Sequence, residues 1–150
     1  MSNEWTREEA ESTYRINRWG DGFFGVNERG ELCVYPERRT EGSGHGPSIV
    51  INEVIDEMKK RNVQLPAVIR FHDILRTQVS SLNESFQNII KEADYKGRYC
   101  GVFPIKVNQM REVVEEIVDI GEEYDYGLEA CSKAELLSVL AFNENPNALT

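Results

Sequence analysis

Along the chain, the spacing of apolar residues changes from two to three or four, and this change sets out the predicted elements. Phe23, Phe24 and Val26 precede the turn Asn27-Glu28-Arg29-Gly30, and Leu32, Val34 and Tyr35 follow it. The segment 14–36 is therefore predicted to be β, with a hairpin whose Gly30 supplies the positive φ of a short loop. Ahead of it, Thr6-Arg7-Glu8-Glu9 has the form of a capping box and predicts a short helix. From Ser48 the period becomes helical, with Ile51, Val54, Ile55 and Met58 on one stripe and Lys59-Lys60-Arg61 suited to a helix C-terminus. After Leu65-Pro66 two patterns alternate. The apolar runs AVIRF (67–71), YCGVFPIK (99–106) and YGLEA (126–130) read as strands. Between and after them lie helical stripes: Leu75, Val79, Leu82, Phe86, Ile89, Ile90 and Ala93; Val113, Val114, Ile117 and Val118; and Leu136, Leu137 and Leu140. Gly121 is predicted as a left-handed cap on the second of these helices, and Ser132-Lys133-Ala134-Glu135 as the capping box of the third.

Strands alternating with helices of this length predict an α/β fold with β-α units, a parallel sheet and right-handed crossovers. A doubly wound sheet and a (β/α)8 barrel both fit. A whole barrel takes about 250 residues, so the segment 67–150 would be only the opening of one, cut off in the turn residues of NENPNALT. Three parts are expected: a β segment with a glycine-rich loop over 1–47, a helix and linker over 48–66, and the start of the α/β unit over 67–150. Such a piece alone is expected to be inactive and poorly folded, since it leaves an open strand edge and uncovered apolar surface.

Composition narrows the function. A formal net charge of −9 argues against nucleic acid as a partner. No apolar run is long enough to span a membrane, and the polar N-terminus lacks a secretory signal. Cys33, Cys100 and Cys131 are widely spaced without C-x-x-C, as expected of buried thiols in a reducing cytoplasm. The loop ERRTEGSGHGP (37–47) lacks the G-K-[ST] ending of a phosphate-binding P-loop. His45 has no second ligand nearby and makes a poor metal site, while His72, after a predicted strand, could line a cleft but beside Asp73 reads more simply as a solvated loop residue. Trp19 and the hairpin aromatics are expected to form the core of the β segment.

One residue calls for explanation. Strand parity puts Cys100, Val102, Pro104 and Lys106 on one face, and the bulkier Phe103 and Ile105 on the helix-covered face. In YGLEA the same parity sends Leu128 toward helices and Glu129 the other way. If the two strands are neighbours, Lys106 and Glu129 line one rim at the C-terminal strand ends, where barrel active sites sit. A lysine desolvated there loses its proton more readily and can condense with a carbonyl, whereas Glu129 favours the ammonium. A lysine snorkelling to solvent with an ordinary salt bridge fits the same pattern.

The motif F-P-I-K-V-N-Q (103–109), with G-L-E-A-C-S-K-A-E-L (127–136), resembles the biosynthetic arginine decarboxylase family. So do YRINRWGDGFFGVNERGELCVYP, LPAVIRFHDIL and LNESFQNIIKEADYKGRY, so the resemblance runs over almost the whole chain. It implies the opening segment of a longer protein with an alanine-racemase-like barrel, Lys106 on the first barrel strand and AVIRF a lead-in strand outside it. It further implies that Lys106 carries pyridoxal 5′-phosphate as a Schiff base, with Glu129 beside the cofactor. The implied reaction converts L-arginine to agmatine and CO2 in polyamine biosynthesis, in a homo-oligomer, with magnesium credited to the family but no site for it in these residues. The other cofactor ligands would lie beyond Thr150, leaving Cys100 and Cys131 as small buried residues. Two positions depart from the family pattern: Cys131 stands where glycine is common and His72 where serine is common. The reading from another class is a non-catalytic pyridoxal-phosphate-binding barrel, or an inert subunit that only pairs with a full-length partner.

Overall fold

A computed structural model describes residues 5–39 and 46–150. Part of the predicted glycine-rich loop, with His45, lies outside the described residues. The chain divides into two compact units, with the boundary between Ile74 and Leu75.

The first unit opens with α1 (Arg7–Thr13), capped as predicted: the Thr6 hydroxyl accepts from the Glu9 N–H at 3.1 Å. Arg15 then takes a left-handed conformation (φ 54°) and leads into a single helical turn, α2 (Ile16–Trp19). Residues 14–20 are thus not β as expected. Ile16 is buried against Ala10 and Val26, and the Gly20 N–H returns to the Ile16 carbonyl at 2.7 Å. The hairpin is present, with β1 (Phe24–Val26) antiparallel to β2 (Leu32–Val34). Its turn is tied by Asn27, whose Oδ1 accepts the N–H groups of Arg29 and Glu31, both at 2.9 Å, and Gly30 has the expected positive φ of 81°. A third strand that the sequence pattern missed, β3 (Ile49–Val50), pairs with β2 and runs directly into α3 (Ile51–Lys60). Cys33, Val34, Phe23 and Tyr35 are buried. Trp19 is not: it is 52% exposed, its indole N–H donating to the Tyr14 carbonyl and its ring leaning on Phe24.

AVIRF forms no strand. Among the described residues it has no ladder partner, and Val68 is exposed. A run of β-prone side chains does not make a strand unless another backbone satisfies its polar groups.

The second unit holds the β-α pattern. The boundary between the units falls within the first turn of α4 (His72–Glu92), which is followed by β4 (Val102–Pro104), α5 (Arg111–Gly121), β5 (Gly127–Glu129) and α6 (Lys133–Phe142). Strands β4 and β5 are parallel neighbours. Ile105, Val114, Leu128 and Val139 form the central core, with Phe103, Val118 and Phe142 against it. Val79 of α4 packs with Val113 and Ile117 of α5, and Arg76 pairs with Glu116 and Asp119 across the same two helices. Gly121 is not a left-handed cap, since its φ is −70°. The chain winds on through a 3-10 turn, Glu122–Tyr124, and Asp125 makes the left-handed reversal at φ 52°. The capping box of α6 is as predicted, with the Ser132 Oγ accepting from the Glu135 N–H at 3.2 Å. The class is α/β, as expected. No described helix is long and apolar enough to cross a membrane.

Candidate functional site

The parallel pair fixes where the candidate residues meet. In register, Val102 faces Gly127, Phe103 faces Leu128 and Pro104 faces Glu129, so β4 and β5 end together. Proline has no N–H for the ladder and closes β4 two residues earlier than predicted. The chain then enters a 3-10 turn, Ile105–Val107, so Lys106 sits on that turn rather than on the strand. Ile105 drops into the core beneath, 1% exposed, while the Lys106 side chain stays on the rim, 53% exposed. Leu128 is likewise buried, and its neighbour Glu129 is turned to the rim, so the two candidates come together: Lys106 Nζ lies 3.8 Å from Glu129 Oε2.

A third group stands between them. Lys106 Nζ donates to Cys131 Sγ at 3.1 Å, and the Cys131 thiol in turn donates to Glu129 Oε1. Cys131 was expected as a small buried residue. It is exposed, because β5 stops at Glu129 and the chain must turn outward to reach the helix cap at Ser132. Its backbone N–H donates to Glu135 Oε2 at 2.8 Å, which closes the N-terminal turn of α6 around the cluster. Neither Cys131 nor Glu135 was singled out for this site. The available signal was their spacing: two residues past a rim carboxylate, and the last position of a capping box that starts beside it. Of the other cysteines, Cys33 is buried and Cys100 half-buried, and His72 is exposed at the first residue of α4.

The electrostatics favour charge on both ends of the cluster. The hydrogen bond to Cys131, then the Cys131 and Glu129 charges, hold Lys106 above the ordinary lysine range. The backbone N–H of Cys131, helped by Ser132, holds Glu135 below the ordinary glutamate range. Between the two effects weighed from sequence, desolvation and the carboxylate, the second wins in this chain: the amine rests as an ammonium. A cleft of about 1120 Å³ in the same unit, lined among others by Arg111, Asp119, Phe142 and Asn145, includes neither Lys106 nor Glu129. No group of three or more potential metal ligands occurs among the described residues. The chemistry the rim offers is a single primary amine, flanked by a carboxylate and a thiol, able to add to a carbonyl once deprotonated.

No family model matches the chain. It is 41% identical over 149 residues to the biosynthetic arginine decarboxylase of Prochlorococcus marinus, a match covering 99% of this chain and 22% of that protein. It is 44% identical over 146 residues to the biosynthetic arginine decarboxylase of Gloeobacter violaceus, covering 97% of this chain and again 22% of the relative. Among solved structures it is similar to the biosynthetic arginine decarboxylase SpeA from Campylobacter jejuni, with a TM-score of 0.75 and 32% identity, over 89% of this chain and 21% of that one. The chain thus spans about a fifth of the length of the curated relatives it matches, and over nearly all of its own length it is homologous to the N-terminal part of the biosynthetic arginine decarboxylases.

Proposed function

We propose that this chain is the N-terminal, cofactor-bearing part of a pyridoxal 5′-phosphate-dependent arginine decarboxylase, converting L-arginine to agmatine and CO2 in polyamine biosynthesis. The observation that carries the proposal is the placement of Lys106. A primary amine stands at the C-terminal end of a parallel strand, 3.8 Å from a carboxylate on the next strand, in a chain about 40% identical to named decarboxylases. In this reading β4 and β5 are the first two strands of an alanine-racemase-like (β/α)8 barrel, and the rim they share faces its active site.

The donor set fits the cofactor. Lys106 is the residue that would hold its aldehyde carbon, and Glu129, 3.8 Å from that amine, would border the same site. The cofactor, when bound, supplies the electron sink for the carbanion left by departing CO2. The chain's own work is positional. Ile105 and Leu128 anchor the two strand ends in the core, so Lys106 and Glu129 are presented from a packed base. Glu129 adds to the forces that keep a proton on Lys106, and the amine must shed it to add to a carbonyl. The remaining cofactor contacts and the determinants of arginine specificity are assigned to other parts of the longer protein, which works as a cytoplasmic homo-oligomer. Magnesium fits no cluster among the described residues, and no step is assigned to it.

The test is to incubate the chain with pyridoxal phosphate, reduce with borohydride and map the pyridoxyl group by peptide mass spectrometry. Label concentrated on Lys106 is the expected result. Label on Lys96, or spread evenly over Lys59, Lys60, Lys91, Lys96 and Lys133, overturns the assignment.

A further inference from the structure

Cys131 is the group the proposed reaction leaves without a role, yet it makes the shortest contact to Lys106. Its sulfur accepts a Lys106 N–H at 3.1 Å and donates its own S–H to Glu129 Oε1, whereas the direct Lys106–Glu129 approach is 3.8 Å. Ammonium, thiol and carboxylate thus form one chain of donors pointing the same way, and the thiol fills a gap the ion pair leaves. The backbone of Cys131 is fixed as well, through its N–H to Glu135.

We propose that Cys131 is a positioning residue for Lys106: its thiol bridges the ammonium to Glu129, holds the lysine on the rim and restrains its reaction with carbonyls. The inference rests on reading Lys106 as the carbonyl-condensing amine. The groups that face Lys106 are Cys131, Glu129 and, more distantly, Glu135 at the start of α6, and all three favour its charged form. Glu129 and Glu135 stay in place when the thiol is removed, so its contribution is separable. A hydroxyl at position 131 can make the same two hydrogen bonds in the same directions, and a methyl can make neither.

Competitive labelling reads this without pyridoxal phosphate. The 150-residue chain is reductively methylated with trace formaldehyde and cyanoborohydride across a pH series, and each lysine is quantified by mass spectrometry, with Lys133 as internal reference. Replacing Cys131 by alanine is expected to move the Lys106 pH profile to lower pH and raise its labelling several-fold below the midpoint, leaving Lys133 unchanged. Cys131→Ser, which keeps the two hydrogen bonds but not the charge of a thiolate, is expected to restore part of the original profile. A Lys106 profile that is unmoved or shifted upward in Cys131→Ala, or one that Cys131→Ser fails to restore even in part, overturns the proposal. Unchanged far-ultraviolet circular dichroism identifies variants in which the fold is intact, and should Cys131→Ala misfold, the serine variant alone decides: a profile moved as far as that of free lysine sinks the bridge. Because no cofactor is used, failure here is distinct from failure of pyridoxal phosphate to label Lys106.

Discussion

The two units solve the same problem, how to finish a small sheet, in different ways. In the first, β2 is paired on both sides, and its Cys33 and Val34 have no exposed surface. The free edge of β1 is covered by a side chain: Glu11 of α1 accepts the Val26 N–H at 3.0 Å, and Arg39, stacked on Tyr35, joins Glu11 at 3.4 Å. In the second, all three residues of β4 are only half-buried, and the far edge of β5 is met by a single backbone bond, from the Leu128 N–H to the Leu149 carbonyl at 3.2 Å. Leu82, Phe86 and Ile89 of α4 and Leu136, Leu137 and Leu140 of α6 remain exposed. Antiparallel strands close through short local turns, while parallel strands are completed only by distant chain. The difference leaves the first sheet closed by its own neighbours and the second open at its edge, with parallel strand ends converging on one rim where Lys106 and Glu129 meet.

If this is right, deleting core side chains should hurt the two units unequally. Leu128 is one of four residues that make the central core of the second unit, so Leu128→Ala is expected to cost about 3 kcal/mol. Val34→Ala removes an equally buried side chain from a strand supported on both edges and should cost about 2 kcal/mol. Amide exchange measures each loss within its own unit, at Val114, Ile117 and Val139 for the first variant and at Cys33 and Tyr35 for the second. A larger loss at Val34 would invert the comparison.

The same contrast explains what was legible in the sequence. Features set by a few adjacent residues were readable: both capping boxes, the Asn27–Gly30 turn and the existence of helices α3 to α6, although α6 buries Val139 and leaves the predicted stripe of Leu136, Leu137 and Leu140 exposed. Features set by a distant backbone were not. AVIRF has the side chains of a strand and no partner, and Ile49–Val50 is a strand only because β2 lies beside it. The helical turn at 16–19 was hidden because Tyr14-Arg15-Ile16-Asn17 alternates, and the burial of Ile16 overrides that alternation. At the site, the pairing of Lys106 with Glu129 follows from strand parity plus a parallel neighbour, and the tail of the lysine strand was wrong by two residues without disturbing it. Cys131 could not be placed by parity, because it lies past the strand in a turn whose direction is set by the α6 cap.

The edges themselves can be broken separately. Glu11→Ala leaves the buried Val26 N–H without its acceptor and is expected to cost about 2 kcal/mol, most of it recovered by Glu11→Gln, whose amide oxygen still accepts. In the second unit the corresponding change is Gly127→Ala. A Cβ there would stand 1.9 Å from the Leu149 carbonyl oxygen, so the tail must move and release the Leu128 N–H. Exchange of the Val26 and Leu128 amides reads both. The Leu128 amide should become fast while the α5 and α6 amides keep their protection, because one bond, not a strand, is lost. If Gly127→Ala unfolds α6 as well, the tail contributes more to the second unit than a single contact.

The caps give the smallest effects and the closest match between units. Thr6→Ala and Ser132→Ala each remove one hydroxyl that accepts the N–H three residues on, at 3.1 and 3.2 Å, and each should cost about 1 kcal/mol. What separates them is acid. Glu135 is held below its ordinary range chiefly by the Cys131 N–H, so its contribution to α6 is fully present above the unfolded glutamate pKa and is lost as pH falls through the lowered folded value. Amides at the start of α6 should therefore lose protection on acidification in a way that Glu135→Gln abolishes and Ser132→Ala does not, since a hydroxyl cap does not titrate. The same acidification loosens the turn that carries Cys131, while Lys106 stays charged throughout. A midpoint at or above that of free glutamate would mean that the Cys131 N–H is not holding the carboxylate, and the base on which the rim is built would have to be sought elsewhere in α6.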